Sequence, residues 1–219
     1  SLGLAKRLRV PDDFFTLSGA ISFQHFNLQN YNTGLFTFGD GYSNNLALTV
    51  GLSRDNTATN PVFPTSGSQF SVTAKLSPPY SLWNGTDYEA LNQQQEDGTL
   101  TAAEVDQEKF KWLEYYKIKF NGTWYNRLVG KFVLKTSAEY GFLGAYNSDR
   151  GVPPFERFFL GGDGLGGFSL DGRETIALRG YPNQSLVPID RSSLSQATQN
   201  DGATIYNKYS LELRHPITL

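Results

Sequence analysis

Ser68-Gln69-Phe70-Ser71-Val72-Thr73-Ala74-Lys75-Leu76-Ser77 alternates apolar and polar residues without a break. An extended chain therefore carries Phe70, Val72, Ala74 and Leu76 on one face and Gln69, Ser71, Thr73 and Lys75 on the other. The same period recurs on both sides of it. Within 14–28, Phe15, Leu17, Ile21 and Phe23 oppose Thr16, Ser18, Ser22 and Gln24; within 44–54, Leu46, Leu48, Val50 and Leu52 oppose Asn45, Thr49 and Ser53. Downstream, Tyr116, Ile118, Phe120 and Trp124 oppose Lys117, Lys119, Asn121 and Thr123. Phe132, Leu134, Ala138, Tyr140 and Phe142 then oppose Lys131, Lys135, Ser137 and Glu139, and Ile205, Tyr209, Leu211 and Leu213 oppose Thr204, Lys208, Ser210, Glu212 and Arg214. Residues 1–10 are a weaker seventh candidate.

Segments of about ten residues exceed the five or six usual in globular sheets and match the ~9 to 11 that cross a bilayer obliquely. The expected fold class is all-β: a transmembrane antiparallel up-and-down β-barrel wall of about seven strands with long extracellular loops. Its apolar rows face lipid, and Lys75, Lys117, Lys119, Lys131, Lys135, Lys208 and Arg214 face a wet lumen, where charge costs little. A soluble sandwich or lipocalin-like barrel also alternates. It would instead turn Leu46, Leu48, Phe70, Val72 and Phe120 into a closed core.

Composition removes other classes. The 219 residues hold 19 basic and 21 acidic side chains, a formal charge of -2, so no basic footprint for nucleic acid exists. With no Cys and only two His, neither disulfides, thiolate sites nor a multi-histidine metal centre are supported. No strictly hydrophobic run exceeds three residues, so no apolar spanning helix is present, and no signal-peptide core follows Lys6, Arg7 and Arg9. The chain begins without Met, which suggests an internal piece of a longer protein or a processed product.

The connections alternate in length. Residues 11–13 and 126–128 fit short turns, and 54–67 is a longer Asn/Thr/Pro/Gly-rich turn on the same side. On the other side lie 29–33, 78–115 and 145–202. In the second of these, Thr101-Ala102-Ala103-Glu104 matches a capping box and predicts a short helix over 102–114. Residues 87–114 carry eight acidic and two basic side chains, which reads as a solvated outer face.

Motifs for catalysis are weak. Gly162-Asp163-Gly164-Leu165-Gly166-Gly167 matches G-x-G-x-x-G, but no βαβ unit surrounds it. Asp163, Asp171 and Asp190 lack the repeat that makes calcium sites specific. No G-x-S-x-G elbow accompanies His25 or His215, both of which fall at strand ends and read as interfacial. Trp124, Tyr125 and residues 140–146 suit an aromatic girdle. No enzymatic activity and no cofactor are expected.

Pro153-Pro154-Phe155-Glu156-Arg157-Phe158-Phe159-Leu160-Gly161-Gly162 followed by Leu178-Arg179-Gly180-Tyr181 is different. Together with Phe63-Pro64-Thr65-Ser66-Gly67 and Tyr209-Ser210-Leu211-Glu212-Leu213-Arg214-His215-Pro216-Ile217, it resembles the BamA family of outer-membrane protein assembly factors, in the bacterial surface antigen barrel superfamily. The resemblance spans nearly the whole chain. The stretch 163–176 and Ile205-Tyr206-Asn207-Lys208-Tyr209 are similar to its Bacteroidota branch.

The resemblance implies that residues 1–219 are part of one C-terminal sixteen-stranded barrel, covering about strands six to twelve, with the POTRA repeats and remaining strands absent. It implies that Leu178, Arg179, Gly180 and Tyr181 cap a loop folded into the lumen, supported by Phe158, Phe159, Gly161 and Gly162. A guanidinium inside a barrel needs carboxylates or carbonyls. Glu212 and Glu139, on lumen-facing positions, are candidate partners. The implied function is insertion of unfolded outer-membrane β-barrel clients, with accessory assembly lipoproteins, periplasmic chaperones and the lipid bilayer as partners. The implied location is the outer membrane of a Gram-negative bacterium. A conducting or polypeptide-secreting pore of the same superfamily is the alternative, and a barrel fused to a hydrolase a third.

Overall fold

The computed structural model describes residues 1–30, 38–57, 62–162, 174–182, 185–186 and 202–216. Each alternating segment is a strand: β1 (Leu2–Arg7), β2 (Phe15–Leu28), β3 (Gly41–Asp55), β4 (Gly67–Leu76), β5 (Tyr116–Arg127) and β6 (Val133–Gly144). Two short strands, β7 (Phe158–Leu160) and β8 (Glu174–Ile176), precede the last long one, β9 (Ile205–Arg214). The long strands form one antiparallel sheet in the order β1-β2-β3-β4-β5-β6-β9, while β7 and β8 pair in parallel apart from it.

Register carries the faces across the whole sheet. Ile21 pairs with Leu48, Leu48 with Leu76, Leu76 with Tyr116, and Tyr116 with Gly144; two rows lower on the same face, Val72 pairs with Phe120 and Phe120 with Tyr140. Because side chains alternate with period two, these pairs place all the apolar rows on one side. Leu48, Val50, Val72, Ile118, Phe142, Leu211 and Leu213 are exposed there, so the apolar face is an outer surface and the closed-core alternative fails. This is the wall of an up-and-down transmembrane barrel. Among the described residues no helix is long and apolar enough to cross a membrane.

The buried core lies on the other face. Leu28, Phe38, Phe110, Leu113, Tyr115, Leu143, Phe155, Phe158, Phe159, Ile176 and Tyr206 form it, mixing wall residues with residues of the long connections. Those connections leave the upper rim, at the ends of β2, β4 and β6; the shorter turns lie at the lower rim.

The connection between β4 and β5 contains two helices, α1 (Tyr88–Glu96) and α2 (Ala102–Phe110). The Thr101 and Glu104 capping box forms with both reciprocal bonds. The helix stops at Phe110 rather than running to Glu114, because the next residues serve the sheet. β3 overhangs β4 by residues 41–47, and Asn44 N–H donates to the Lys111 carbonyl at 2.9 Å while Leu113 N–H donates to the Asn44 carbonyl at 2.8 Å. Ser43 Oγ adds a bond to the Phe110 carbonyl at 2.7 Å. Helix α1 was not expected, since YEALNQQQE has little apolar periodicity. Asp87 caps it through Ala90 N–H, and Gly98, at φ 73°, follows its end.

Candidate functional site

Lys75, Lys117 and Lys119 form a basic patch on the inner face of β4 and β5, where alternation puts them. After β6 the chain turns back over this patch: Pro153 precedes a single 3-10 turn, Pro154–Glu156, which delivers Glu156 to it. Glu156 Oε1 accepts from Lys75 Nζ at 2.6 Å and the Tyr115 hydroxyl at 2.8 Å, and Oε2 lies 3.2 Å from Lys117 Nζ. Asn45 Nδ2 reaches Oε1 at 3.4 Å. Glu174 of β8 completes the patch, with Oε2 2.7 Å from Lys117 and Oε1 2.8 Å from Lys119.

Lys117 and Glu156 at the centre are largely out of water, so their charges matter more than surface pairs would, while Lys75, Lys119 and Glu174 are half-buried around them. Lys117 is only 4% exposed. Burial works to raise the Glu156 carboxyl, but the Lys75 and Lys117 charges and the bonds from Lys75 and Tyr115 outweigh it and hold it below the ordinary glutamate range. Glu174 is held low in the same way, burial being overcome chiefly by Lys117. Burial, with the Glu156 charge, pushes the Tyr115 phenol up and keeps it a donor.

Apolar packing seats the same segment. Phe158 is fully buried, with its ring 4.7 Å from Tyr206 and 4.6 Å from the Lys117 ammonium. Gly141 of β6 makes room: a Cβ there would collide with Tyr206 and lie 2.7 Å from Phe158 Cζ.

The two loop motifs meet. Leu178 N–H donates to the Gly162 carbonyl at 2.8 Å, Gly162 N–H donates to the Tyr181 carbonyl at 2.9 Å, and Tyr181 N–H closes on the Leu178 carbonyl at 3.3 Å. Leu178 to Tyr181 is thus a β-turn whose third residue, Gly180, has φ 87°, as a type II turn requires. Gly162 bridges its mouth, and Gly161 N–H binds the Ile176 carbonyl at 3.1 Å.

Over the described residues and beyond, the sequence itself matches one family: the model of the Omp85 superfamily domain fits residues 4–219. The chain belongs to the Omp85 superfamily. No curated protein matches it. Omp85 proteins are outer-membrane β-barrels, and the superfamily covers assembly factors as well as secretion and translocation pores.

Within this Omp85 chain, the structure brings Phe158, Phe159, Gly161 and Gly162 together with Leu178, Arg179, Gly180 and Tyr181 in one folded loop. Arg179 itself is exposed. Among the described residues no hydrogen bond or ion pair joins it to Glu212 or Glu139. Glu212 pairs with Lys135 at 3.0 Å and Glu139 with Lys208 at 2.9 Å. Asp163, Asp171, Asp190 and the glycine run after Gly162 lie outside the described residues. Among the described residues no cluster suited to a metal exists. His25 bonds Asn44 at 2.7 Å near the upper rim, and His215 packs against Phe132, ring planes tilted by 47°, at the lower one.

Glu156 and Glu174 went unread as site residues. The available signal was a charge imbalance: the inward lysines of the strands need counter-charges, and Glu156, with Arg157, interrupts the apolar residues Pro153-Pro154-Phe155 and Phe158-Phe159-Leu160.

A second tie holds this loop to the helical one. Arg150 Nη1 is 2.6 Å from Glu114 Oε2, with side chains 2% and 0% exposed. Arg150 also donates to the Lys109 carbonyl at 2.9 Å and to the Trp112 carbonyl. Ser81 gives Glu114 two further bonds, from N–H at 2.7 Å and from Oγ at 2.6 Å.

Proposed function

We propose that this Omp85 protein is the central assembly factor of a Gram-negative outer membrane, which folds and inserts other β-barrel proteins without enzymatic chemistry. Its clients are unfolded β-barrel chains, delivered by periplasmic chaperones, and accessory lipoproteins assist it. The turn at Leu178, Arg179, Gly180 and Tyr181 belongs to an inward loop that keeps the wall rigid, with Glu212 and Glu139 as candidate lumenal partners of Arg179.

The neutralised wall supports assembly over transport. A pore for anions or unfolded chains gains from free lumenal lysines. Here Lys75, Lys117 and Lys119 are occupied by Glu156 and Glu174 of the loop. A secreting pore is the second reading, favoured by a polar cleft of about 460 Å³ lower on the same wall, lined by Ser53, Asp55, Gln69, Ser71, Asn121 and Thr123.

Client folding in proteoliposomes tests the two, with wild type and Arg179→Glu compared and ion conductance recorded in parallel. Accelerated folding that the substitution abolishes is the expected result. Conductance without client folding would transfer the assignment to the secreting pore.

A further inference from the structure

The connection between β4 and β5 does not only stand above the rim. Its first turn, Tyr80–Leu82, and Trp83 carry apolar side chains outward: Leu82 is 76% exposed and Trp83 63%. These residues continue the lipid-facing surface. Phe23, on the apolar row of β2, lies 6.5 Å ring to ring from Trp112, Trp112 lies 5.3 Å from Tyr80, and Tyr80 lies 6.3 Å from Trp83. The aromatic chain thus runs unbroken from the barrel's outer wall into the loop.

The loop is also fixed where it meets the wall. Ser81, between Tyr80 and Leu82, is bound twice by the buried Glu114 carboxylate, itself paired with Arg150. Leu113 N–H and the Lys111 carbonyl pin Trp112 to the edge of β3. A rigid backbone that presents Leu and Trp beside a lipid-facing row has the shape of an interfacial anchor, with aromatic rings at headgroup depth and an aliphatic tip in the acyl boundary.

We infer that Tyr80, Leu82, Trp83 and Trp112 form a membrane anchor, seated in the headgroup and acyl boundary of the lipid leaflet at the upper rim. The occupant of this patch is lipid, because the patch is continuous with the barrel's lipid-facing surface. Helices α1 and α2, with the acidic side chains, stay on the aqueous side.

These 219 residues contain no Cys, so a labelling test is direct once any Cys elsewhere in the full-length protein is replaced by Ser. A nitroxide on Leu82→Cys, in the full-length protein reconstituted in phosphatidylcholine vesicles, is compared with one on Glu96→Cys, an exposed site at the end of α1. The expected result is several-fold lower collision with a water-soluble nickel chelate at position 82 than at 96, together with higher collision with oxygen. A second measurement leaves Leu82 in place: Trp83 emission, taken as the difference between wild type and Trp83→Phe, is quenched by lipids brominated near the headgroup and little by aqueous iodide. Equal nickel access at both sites, or iodide quenching without bromolipid quenching, would overturn the inference and place the patch in water. Low access to both nickel and oxygen would overturn it in favour of a protein cover.

Discussion

Lys117 holds Glu156 twice, donating to its backbone carbonyl at 2.7 Å and lying 3.2 Å from its carboxylate. One ammonium thereby fixes both the course of the loop and the direction of its side chain. The loop is seated on the wall by a buried charge group as much as by apolar contact.

Glu156→Gln removes the charge that Lys75 and Lys117 share while keeping the volume. Breaking a buried ion pair from one side costs about 3 kcal/mol or more, so tryptic cleavage at the Arg157-Phe158 bond is expected to rise on the order of a hundredfold. Cleavage at the wild-type rate would show that the carboxylate does not hold the loop.

Acid is expected to release the same contact. Glu156 and Glu174 are both held below the ordinary glutamate range when docked. Docking is then fully stabilised above the unfolded value of ~4.3 and weakens as pH falls below it through the depressed values, because the undocked loop binds more protons. A nitroxide on exposed Thr175→Cys should gain mobility over that acid window. The double variant Glu156→Gln/Glu174→Gln should be mobile at every pH.

Gly141→Ala places a methyl against Tyr206 and Phe158 and should displace the loop as Phe158→Ala does, where loss of a buried ring costs about 3–5 kcal/mol. Gly19→Ala is the control, since a Cβ there meets nothing within 4 Å. Proteolysis of all three variants would rank them, and equal behaviour of Gly141→Ala and Gly19→Ala would contradict the close packing.

Gly180→Ala keeps the chain but not the comfort of φ 87°, at a cost of about 1–2 kcal/mol. Exchange protection of the Gly162 amide, which bonds Tyr181, should fall by on the order of tenfold. Gly180→Asn should lose less, since Asn tolerates positive φ better.

Arg150→Met strands the Glu114 carboxylate without its buried partner and should destabilise the upper loops by about 3–5 kcal/mol. Pairing it with Glu114→Gln should restore part of the loss in denaturant unfolding. An additive double variant would mean that the two residues do not interact.

Six of the sheet's strands were legible because a period of two, sustained for about ten residues, has one physical solution, and the register repeats it across the pairings; β1, with six residues, was the weaker signal. The ends were less so: β3 begins at Gly41 because its upper half pairs with β2 alone on one side and with a loop on the other. The capping box announced α2, but its end depends on Asn44, which lies 67 residues from Lys111. Alternation told which way Lys117 points and nothing of what crosses the lumen to meet it, since Glu156 is 39 residues away. The glycine pair and the Leu178 to Tyr181 turn were legible as motifs; that Gly162 joins them is a backbone fact no side-chain pattern encodes.

The overhang of β3 has a further consequence. Above the end of β4, residues 41–47 would offer a bare ladder of amides and carbonyls at the upper rim, and an unpaired strand edge recruits any extended chain that drifts past. Lys111 and Leu113 take up its middle, at Asn44, and Gln107 exchanges bonds with the Tyr42 backbone at 3.0 and 2.8 Å. For a machine proposed to handle unfolded strands, the cover over Tyr42 and Asn44 takes away a misplaced docking edge, leaving those amides and carbonyls already matched.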